Sequence, residues 1–467
     1  IDMLMLKHSL QSTRNKLLEA YEKNGETVLK FTRKYDTCDE RDRKIEDGTL
    51  RLVYAYHKDD PTSDTNIPKH SVRGSRSLML LNVLTKKPSL PADVKHFDLR
   101  VNVSWISNKD TTYYCKPFKM PVFASKKHVV KVSPVISPGN EGLVHHILVY
   151  ECIDDLPPSN LTFEGDCDSP NMPDVLAGCA AKSAVAAWAI GGSNFYFPDH
   201  VGYSVGDGVG PKYILLEVHY DNADQKSGLK DNSGLRFHYT SILRQYDAGI
   251  LWAGWDVTDQ MWIPPMQPAW TSIGYCPSQC TQIGLQNSTL PNGGIKVFAS
   301  FLHTHLLGVA IWTKHVRNGT ELPEIARDDH YDFNYQEYHF MKKEVHVLPG
   351  GLRSRDEMCL TFMFYYPKVQ LSKCLSINEG NDNFFPIRNK SEVGYPPEKW
   401  TNGLAVDLRK SYDEMKYVKA MCAKQKAEHL EPIDGTFVRK AVITKPLPMV
   451  GKSCPKPKGP EGYTNEV

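Results

Sequence analysis

The sequence predicts an all-β protein. Short runs rich in β-branched and aromatic residues recur along it, clusters of Gly, Pro, Asn and Asp separate them, and helical periodicity is confined to two stretches. The strand-like runs are Leu50–Tyr56, Val101–Trp105, His128–Val132, Val144–Glu151, Tyr213–Tyr220, Lys296–Leu302, Val309–Val316 and Cys359–Tyr366, and the helical patterns are Asp174–Trp188 and Leu408–Lys426. Strands this short and this numerous pack as β-sandwiches. Breaks fall at Lys86–Asp93, where a polar stretch contains proline, near Asp221–Asn232, and after Cys374. From Ser376 to Val467 the chain is rich in Lys, Asn, Pro and Glu, with little apolar periodicity, and reads as an extended wrap that Cys422 and Cys454 could staple down.

With 467 residues the chain has room for about three domains of roughly 150 residues each. Its 41% hydrophobic and 24% charged residues are those of a globular protein, not of a fibre or a disordered chain. Lys and Arg number 56 against 54 Asp and Glu, so no single-sign field marks nucleic acid or a membrane surface as the partner. The longest weakly polar run, Cys179–Gly192, contains Lys182 and falls short of the roughly 18 residues a membrane span needs, which excludes a transmembrane helix in this chain. The first residues, Ile1-Asp2-Met3, carry no signal-like pattern, and upstream sequence is expected. Among eleven cysteines only Cys276 and Cys280 are close, with no matching pair downstream, so a zinc ribbon is excluded. Sequons at Asn102, Asn160, Asn287, Asn318 and Asn389, together with dispersed cysteines, place the protein outside the cell or in the lumen of the secretory pathway.

Histidines supply the candidate chemistry. His145 and His146 are adjacent inside an apolar run, where an unsatisfied polar ring is costly. His219 sits in a similar run, Tyr213–Tyr220; taken alone it is more often a hydrogen-bonded core histidine than a ligand. His303 and His305 are two apart on a strand-like run, so their side chains leave from one face, a spacing that suits one metal but also occurs without metal. Met358 alone would be core filler; beside two histidines its thioether would favour Cu(I) over zinc. His57, His238, His330 and His339 lack paired spacing and read as surface or structural residues. Nucleophile-elbow, zincin and phosphate-loop motifs are absent.

Gly139-Asn-Glu-Gly-Leu-Val-His-His146, Leu216-Glu-Val-His219-Tyr, His303-Thr-His305-Leu, and Glu357-Met358-Cys359 followed by Tyr365-Tyr366-Pro367 resemble the copper type II, ascorbate-dependent monooxygenases over nearly the whole chain. Tyr331–Glu337 and Gly351-Leu-Arg-Ser-Arg are similar to the dopamine-β-hydroxylase-like branch. The resemblance implies two coppers per chain, ascorbate as reductant and O2 as co-substrate. It makes His145, His146 and His219 ligands of an electron-transfer copper, and His303, His305 and Met358 the catalytic set. It also implies two tandem β-sandwich copper domains, near residues 95–230 and 235–375, facing a solvent-filled cleft. Residues 1–85 would be the C-terminal part of a DOMON-like sandwich and 376–467 the extended tail. A homodimer is compatible with it. Implied disulfides are Cys38–Cys454, Cys115–Cys167, Cys152–Cys179, Cys276–Cys374 and Cys280–Cys422, leaving Cys359 alone. Its family partner lies in a loop that would fall between Gly350 and Gly351, so a segment carrying a twelfth cysteine is expected to be missing there, the alternative being a true deletion that leaves Cys359 a free thiol.

The expected function is hydroxylation of a C–H bond of a small, weakly polar molecule. Peptide amidation would need groups that grip a terminal carboxylate, and the corresponding positions are Phe301, Leu360 and Phe362. Phenylethylamine β-hydroxylases carry an acidic residue in the segment aligned with Ala248–Gly254 and a tyrosine four residues after the methionine; Trp252 and Phe362 stand here, lining an uncharged pocket, although Glu217 is a carboxylate that could substitute. The alternative from another class is a catalytically weak copper-binding secreted protein.

Overall fold

A computed structural model describes residues 15–39, 42–59, 62–63, 65–81, 88–103, 105–152, 156–180, 184–255, 263, 267–304, 307–348, 361–378, 401–414, 418–424 and 442–448. The chain divides into two compact units, Ile1–Leu81 with Pro448–Val467, and Asn82–Leu447.

Two hairpins form the first unit. Strand β1 (Asn15–Lys23) pairs with β2 (Glu26–Arg33). They turn at Asn24-Gly25, both at positive φ, the Asn-Gly turn whose twist suits a two-residue hairpin. Strand β3 (Leu50–Tyr56) pairs with β4 (Val72–Leu78). Cys38 is disulfide-bonded; Cys454, which the resemblance pairs with it, lies outside the described residues.

The second unit begins with β5 (Lys95–Arg100), β6 (Thr111–Lys119), β7 (Lys127–Val135), β8 (Val144–Glu151), β9 (Gly165–Asp166), helix α1 (Asp174–Ala180), β10 (Ala184–Ala189), β11 (Phe195–Tyr196), β12 (Val201–Val205), β13 (Tyr213–Asp221), β14 (Gly234–Thr240) and β15 (Tyr246–Asp247). It continues with β16 (Gly249–Trp255), α2 (Ser278–Gly284), β17 (Ile295–Phe301), β18 (Ile311–Arg317), β19 (Thr320–Asp328), β20 (His339–Val347), β21 (Thr361–Tyr366), β22 (Leu371–Asn378), α3 (Asn402–Asp413) and β23 (Val418–Lys424).

Sheet β10-β8-β13-β6-β9 packs on sheet β15-β12-β7-β14-β5. Alternation does this: Ile147 and Val149 of β8 and Ile214, Leu216 and Val218 of β13 meet Val129, Val132, Leu235 and Phe237 in one apolar core. His146, Leu148, Glu217 and His219 are thereby left on the other face, because His146 pairs with His219 and Leu148 with Glu217. In the third sheet, β20-β17-β21-β16-β22-β23, strands β16 and β21 are apolar on both faces. Ile250, Phe362, Phe364 and Tyr366 join the sandwich core, while Leu251, Ala253, Met363 and Tyr365 enter a second cluster.

Several elements differ from the sequence reading. The helical pattern of Asp174–Trp188 ends at Ala180, and Ala184–Ala189 is a strand beside β8. All six of its residues are buried, and a strand buried on both faces has no polar alternation to mark it. Likewise α3 starts before Leu408 and ends at Asp413, and β23 then pairs with β22. The tail therefore builds part of the sheet. Near Val101–Trp105 only a bridge between Val103 and Asp231 forms.

Disulfides join Cys115 to Cys167, Cys152 to Cys179, Cys276 to Cys374 and Cys280 to Cys422. Cys374 and Cys422 are opposite one another on β22 and β23, so cysteines four apart at the start of α2 reach two neighbouring strands. Asn102, Asn287 and Asn318 are exposed and Asn160 half-buried; Asn389 lies outside the described residues. Among the described residues no helix is long and apolar enough to cross a membrane.

The passage from the sandwich into the third sheet is pinned at Asp247. Its carboxylate accepts from Nε2 of His128 at 2.8 Å and pairs with Lys126 at 2.6 Å, and its carbonyl accepts from Lys368 N–H. Burial opposes the charge, but the hydrogen bonds from His128, Lys126 and Ser204 outweigh it and hold the carboxyl well below the usual carboxylate range. A depressed pKa gives stability that is present above the unfolded value of about 3.9 and is lost as pH falls toward the folded value. Asp247→Asn should therefore cost about 1–2 kcal/mol at pH 7, discounted for partial exposure. Urea melts of both proteins should show that gap in full at neutral pH and closing below about pH 4.

Candidate metal centre

Adjacent strand residues ordinarily point to opposite faces, yet His145 and His146 converge. A register shift explains it: His219 pairs with His146 but Tyr220 pairs with Val144, leaving His145 as the extra residue of a bulge. Such bulges re-aim a side chain. One ring nitrogen from each of His145, His146 and His219, all buried, lies within 4.8 Å of the others. Nδ1 of His146 is 3.2 Å from Nδ1 of His145 and 3.3 Å from Nδ1 of His219. Tyr113, opposite His219 on β6, stacks on its ring at 4.4 Å, and Phe333 stacks on His145 at 4.1 Å.

The donor set fits a metal. His145 gives its Nε2–H to the carbonyl of Phe333 at 2.9 Å, so in the neutral ring Nδ1 holds the lone pair. An N–H on His146 can be directed at one neighbour, whereas a metal takes a lone pair from all three. Nδ1 of His146 stands 3.2–3.3 Å from both partner nitrogens, close enough for the three rings to share one ion. Glu217, one strand step along the same face from His219, has its carboxyl pushed up to about 7 by burial and then by the charge of Asp168.

His303 follows β17, and its ring centroid is 5.9 Å from that of His146. His303 therefore adjoins the first histidine set. The 331–338 loop between β19 and β20 is hydrogen-bonded to both neighbourhoods. Tyr331 OH donates to Thr304 O at 2.8 Å and accepts from Thr304 N–H. Gln336 N–H donates to Ile190 O, whose own N–H donates to His145 O. Ser193 and Tyr335 both donate to Glu337, and Tyr338 OH to Ala187 O. Gln336 itself is buried and accepts from Nδ1 of His303 at 2.8 Å. His305, Met358 and Leu360 lie outside the described residues.

Trp252 and Phe362 are opposite one another on β16 and β21, with ring centroids 4.9 Å apart, and Phe301 follows Phe362 in the same row. On the other side of Trp252 the register places Lys373, whose Nζ is 4.3 Å from the Trp252 ring centroid. Sequence reasoning assigned no role to Phe333, Gln336 or Lys373. The aromatic-rich stretch Tyr331–Glu337 was visible, but nothing in it announces a main-chain carbonyl contact.

Residues 97–227 match the N-terminal domain of the copper type II ascorbate-dependent monooxygenases, and residues 246–352 and 348–385 match the C-terminal domain. The chain belongs to this family. Human DBH-like monooxygenase protein 1 is 41% identical over 422 residues, covering 86% of this chain and 68% of that protein. The chicken protein of that name is 40% identical, covering 86% and 67%. Dopamine beta-hydroxylase of the dog is 37% identical over 402 residues, covering 81% of this chain and 63% of that protein. The protein is thus an oxidoreductase of a family that works with two copper ions, ascorbate and O2. His145, His146 and His219 fall in the first matched domain and His303, His305 and Met358 in the second.

Gly191, at φ +88° beneath the Tyr335 ring, leaves no room for a methyl group. Gly191→Ala should cost about 2–3 kcal/mol through strain and overlap, and should raise hydrogen exchange in the 331–338 loop before that of the sandwich strands.

Proposed function

We propose that the protein hydroxylates a C–H bond of a small, weakly polar organic molecule, one atom of O2 entering the product and the other leaving as water, with two electrons from ascorbate. The observation that carries this reading is the convergence of three buried imidazoles beside His303, in a chain whose two halves match the two monooxygenase domains. His145, His146 and His219 would hold the electron-transfer copper, and His303, His305 and Met358 the catalytic one. Copper bound there supplies one-electron redox chemistry, which neutral imidazoles and a thioether accommodate in both oxidation states. The chain's own residues orient the donors: the Phe333 carbonyl fixes His145, and Tyr113 and Phe333 wall the rings. Residues 95–230 and 235–375 would be the copper domains, 1–85 part of a DOMON-like domain, and the protein a secreted, disulfide-braced glycoprotein.

Loss of Met358 separates the two proposed sites. Met358→Ala should abolish hydroxylation while copper analysis still finds the three-histidine site filled. Two tightly held coppers with full turnover in this variant would contradict the assignment.

Trp252, Phe362 and Lys373 support a substrate without an ammonium group. A cation is already seated on the Trp252 ring, and the row continues through Phe362 to Phe301, both aromatic. An ammonium deprived of its partner in a partly buried site loses about 2–5 kcal/mol, roughly 30- to several-thousand-fold in affinity. Assays with dopamine, tyramine, a glycine-extended peptide and an uncharged aryl-alkyl analogue should rank the last first. Saturable turnover of either amine at micromolar concentration would overturn the ranking. Ascorbate-dependent oxygen uptake by the copper-loaded protein separates this enzyme from a copper carrier, which would show none.

A further inference from the structure

The Phe333 carbonyl and Gln336 join the two histidine sets. A carbonyl oxygen can only accept, so two groups that point at it must both donate. One is Nε2 of His145 at 2.9 Å; the other is the side-chain nitrogen of Gln336 at 2.8 Å. With its nitrogen committed, the Gln336 amide can present only its oxygen to His303, and that oxygen lies 2.8 Å from Nδ1. Nδ1 of His303 must therefore carry the proton and Nε2 the lone pair. One main-chain carbonyl so determines the tautomers of two histidines, directly at His145 on β8 and through Gln336 at His303 after β17.

We infer that Gln336 is a positioning residue, which holds His303 as the Nδ1–H tautomer and ties that ring to the His145 site. The inference rests on the reading of His303 as a ligand. Gln336 is buried, and its main-chain N–H is fixed to Ile190 O, so the amide is held from both ends. Its side chain does two separable things: the oxygen accepts from His303 and the nitrogen donates to Phe333. Gln336→Glu keeps the acceptor and loses the donor, whereas Gln336→Leu loses both.

The test uses the full-length chain with 15N-labelled histidine. Ring-nitrogen NMR of the metal-free protein should show His303 as a single Nδ1–H tautomer in the wild type and in Gln336→Glu. In Gln336→Leu it should pass to the Nε2–H form or to a mixture. Anaerobic copper titration of the same three proteins should then show a 10–100-fold weaker affinity at one of two sites in Gln336→Leu, as for loss of a ligand's outer partner. In Gln336→Glu the change should be a few-fold at most. An unchanged His303 tautomer in Gln336→Leu overturns the inference, as does equal loss of copper affinity in the Glu and Leu variants with equal melting temperatures. A changed tautomer with unaltered copper affinity would instead overturn the ligand reading of His303 and leave the tautomer assignment standing. Should Gln336→Leu fail to fold, Gln336→Met takes its place, removing both hydrogen bonds at nearly constant volume.

Discussion

Three imidazole rings buried on one sheet face have to be paired, and the rest of the site is arranged around that requirement. A buried polar group without a partner costs about 1–3 kcal/mol, so the rings of His145, His146 and His219 need partners, which the structure supplies as the Phe333 carbonyl at the outer nitrogen of His145 and as one another at the inner nitrogens. The bulge in β8 brings the rings together, and the Phe333 carbonyl sets the tautomer of His145. Function and local geometry are coupled through these two features: the first aims a side chain that a regular strand would point away, and the second decides which nitrogen it offers.

The 331–338 loop carries this constraint across to the third sheet. Its backbone is tied to Ile190, its side chains to Thr304, Ser193 and Ala187, and its buried amide to His303. Asp247 secures the chain where it leaves the sandwich for β16. With both ends of the third sheet anchored, the separation of His146 from His303 is set by packing and hydrogen bonds made by many residues, not by the histidines alone.

Much of the fold was legible because short β-branched and aromatic runs are bounded by turn residues, which located β8, β13 and β17 although these strands are almost wholly buried. Ala184–Ala189 was not, since a wholly buried strand has no polar alternation, and Val418–Lys424 was not, since its Lys, Ala and Met residues are good helix formers that continue the pattern of the preceding helix. The paired histidines were visible as polar residues inside apolar runs. Their convergence was not, because a bulge is a register shift between two strands distant in sequence and leaves no residue-type mark. Gln336 was hidden for a related reason: its partners are a main-chain carbonyl and a ring 33 positions away. The disulfide pairings came from the family resemblance, since cysteine spacing alone allows many connectivities.

Anaerobic titration of the metal-free protein with Cu(I), followed by X-ray absorption at the copper edge, bears most directly on the central claim that this chain builds two distinct copper sites from six named side chains. The account predicts two tightly bound ions per chain, with nitrogen scattering at both and a sulfur contribution that disappears in Met358→Ala while one ion stays on nitrogen donors. A single tightly bound ion, or two ions whose surroundings are unchanged by Met358→Ala, would contradict it.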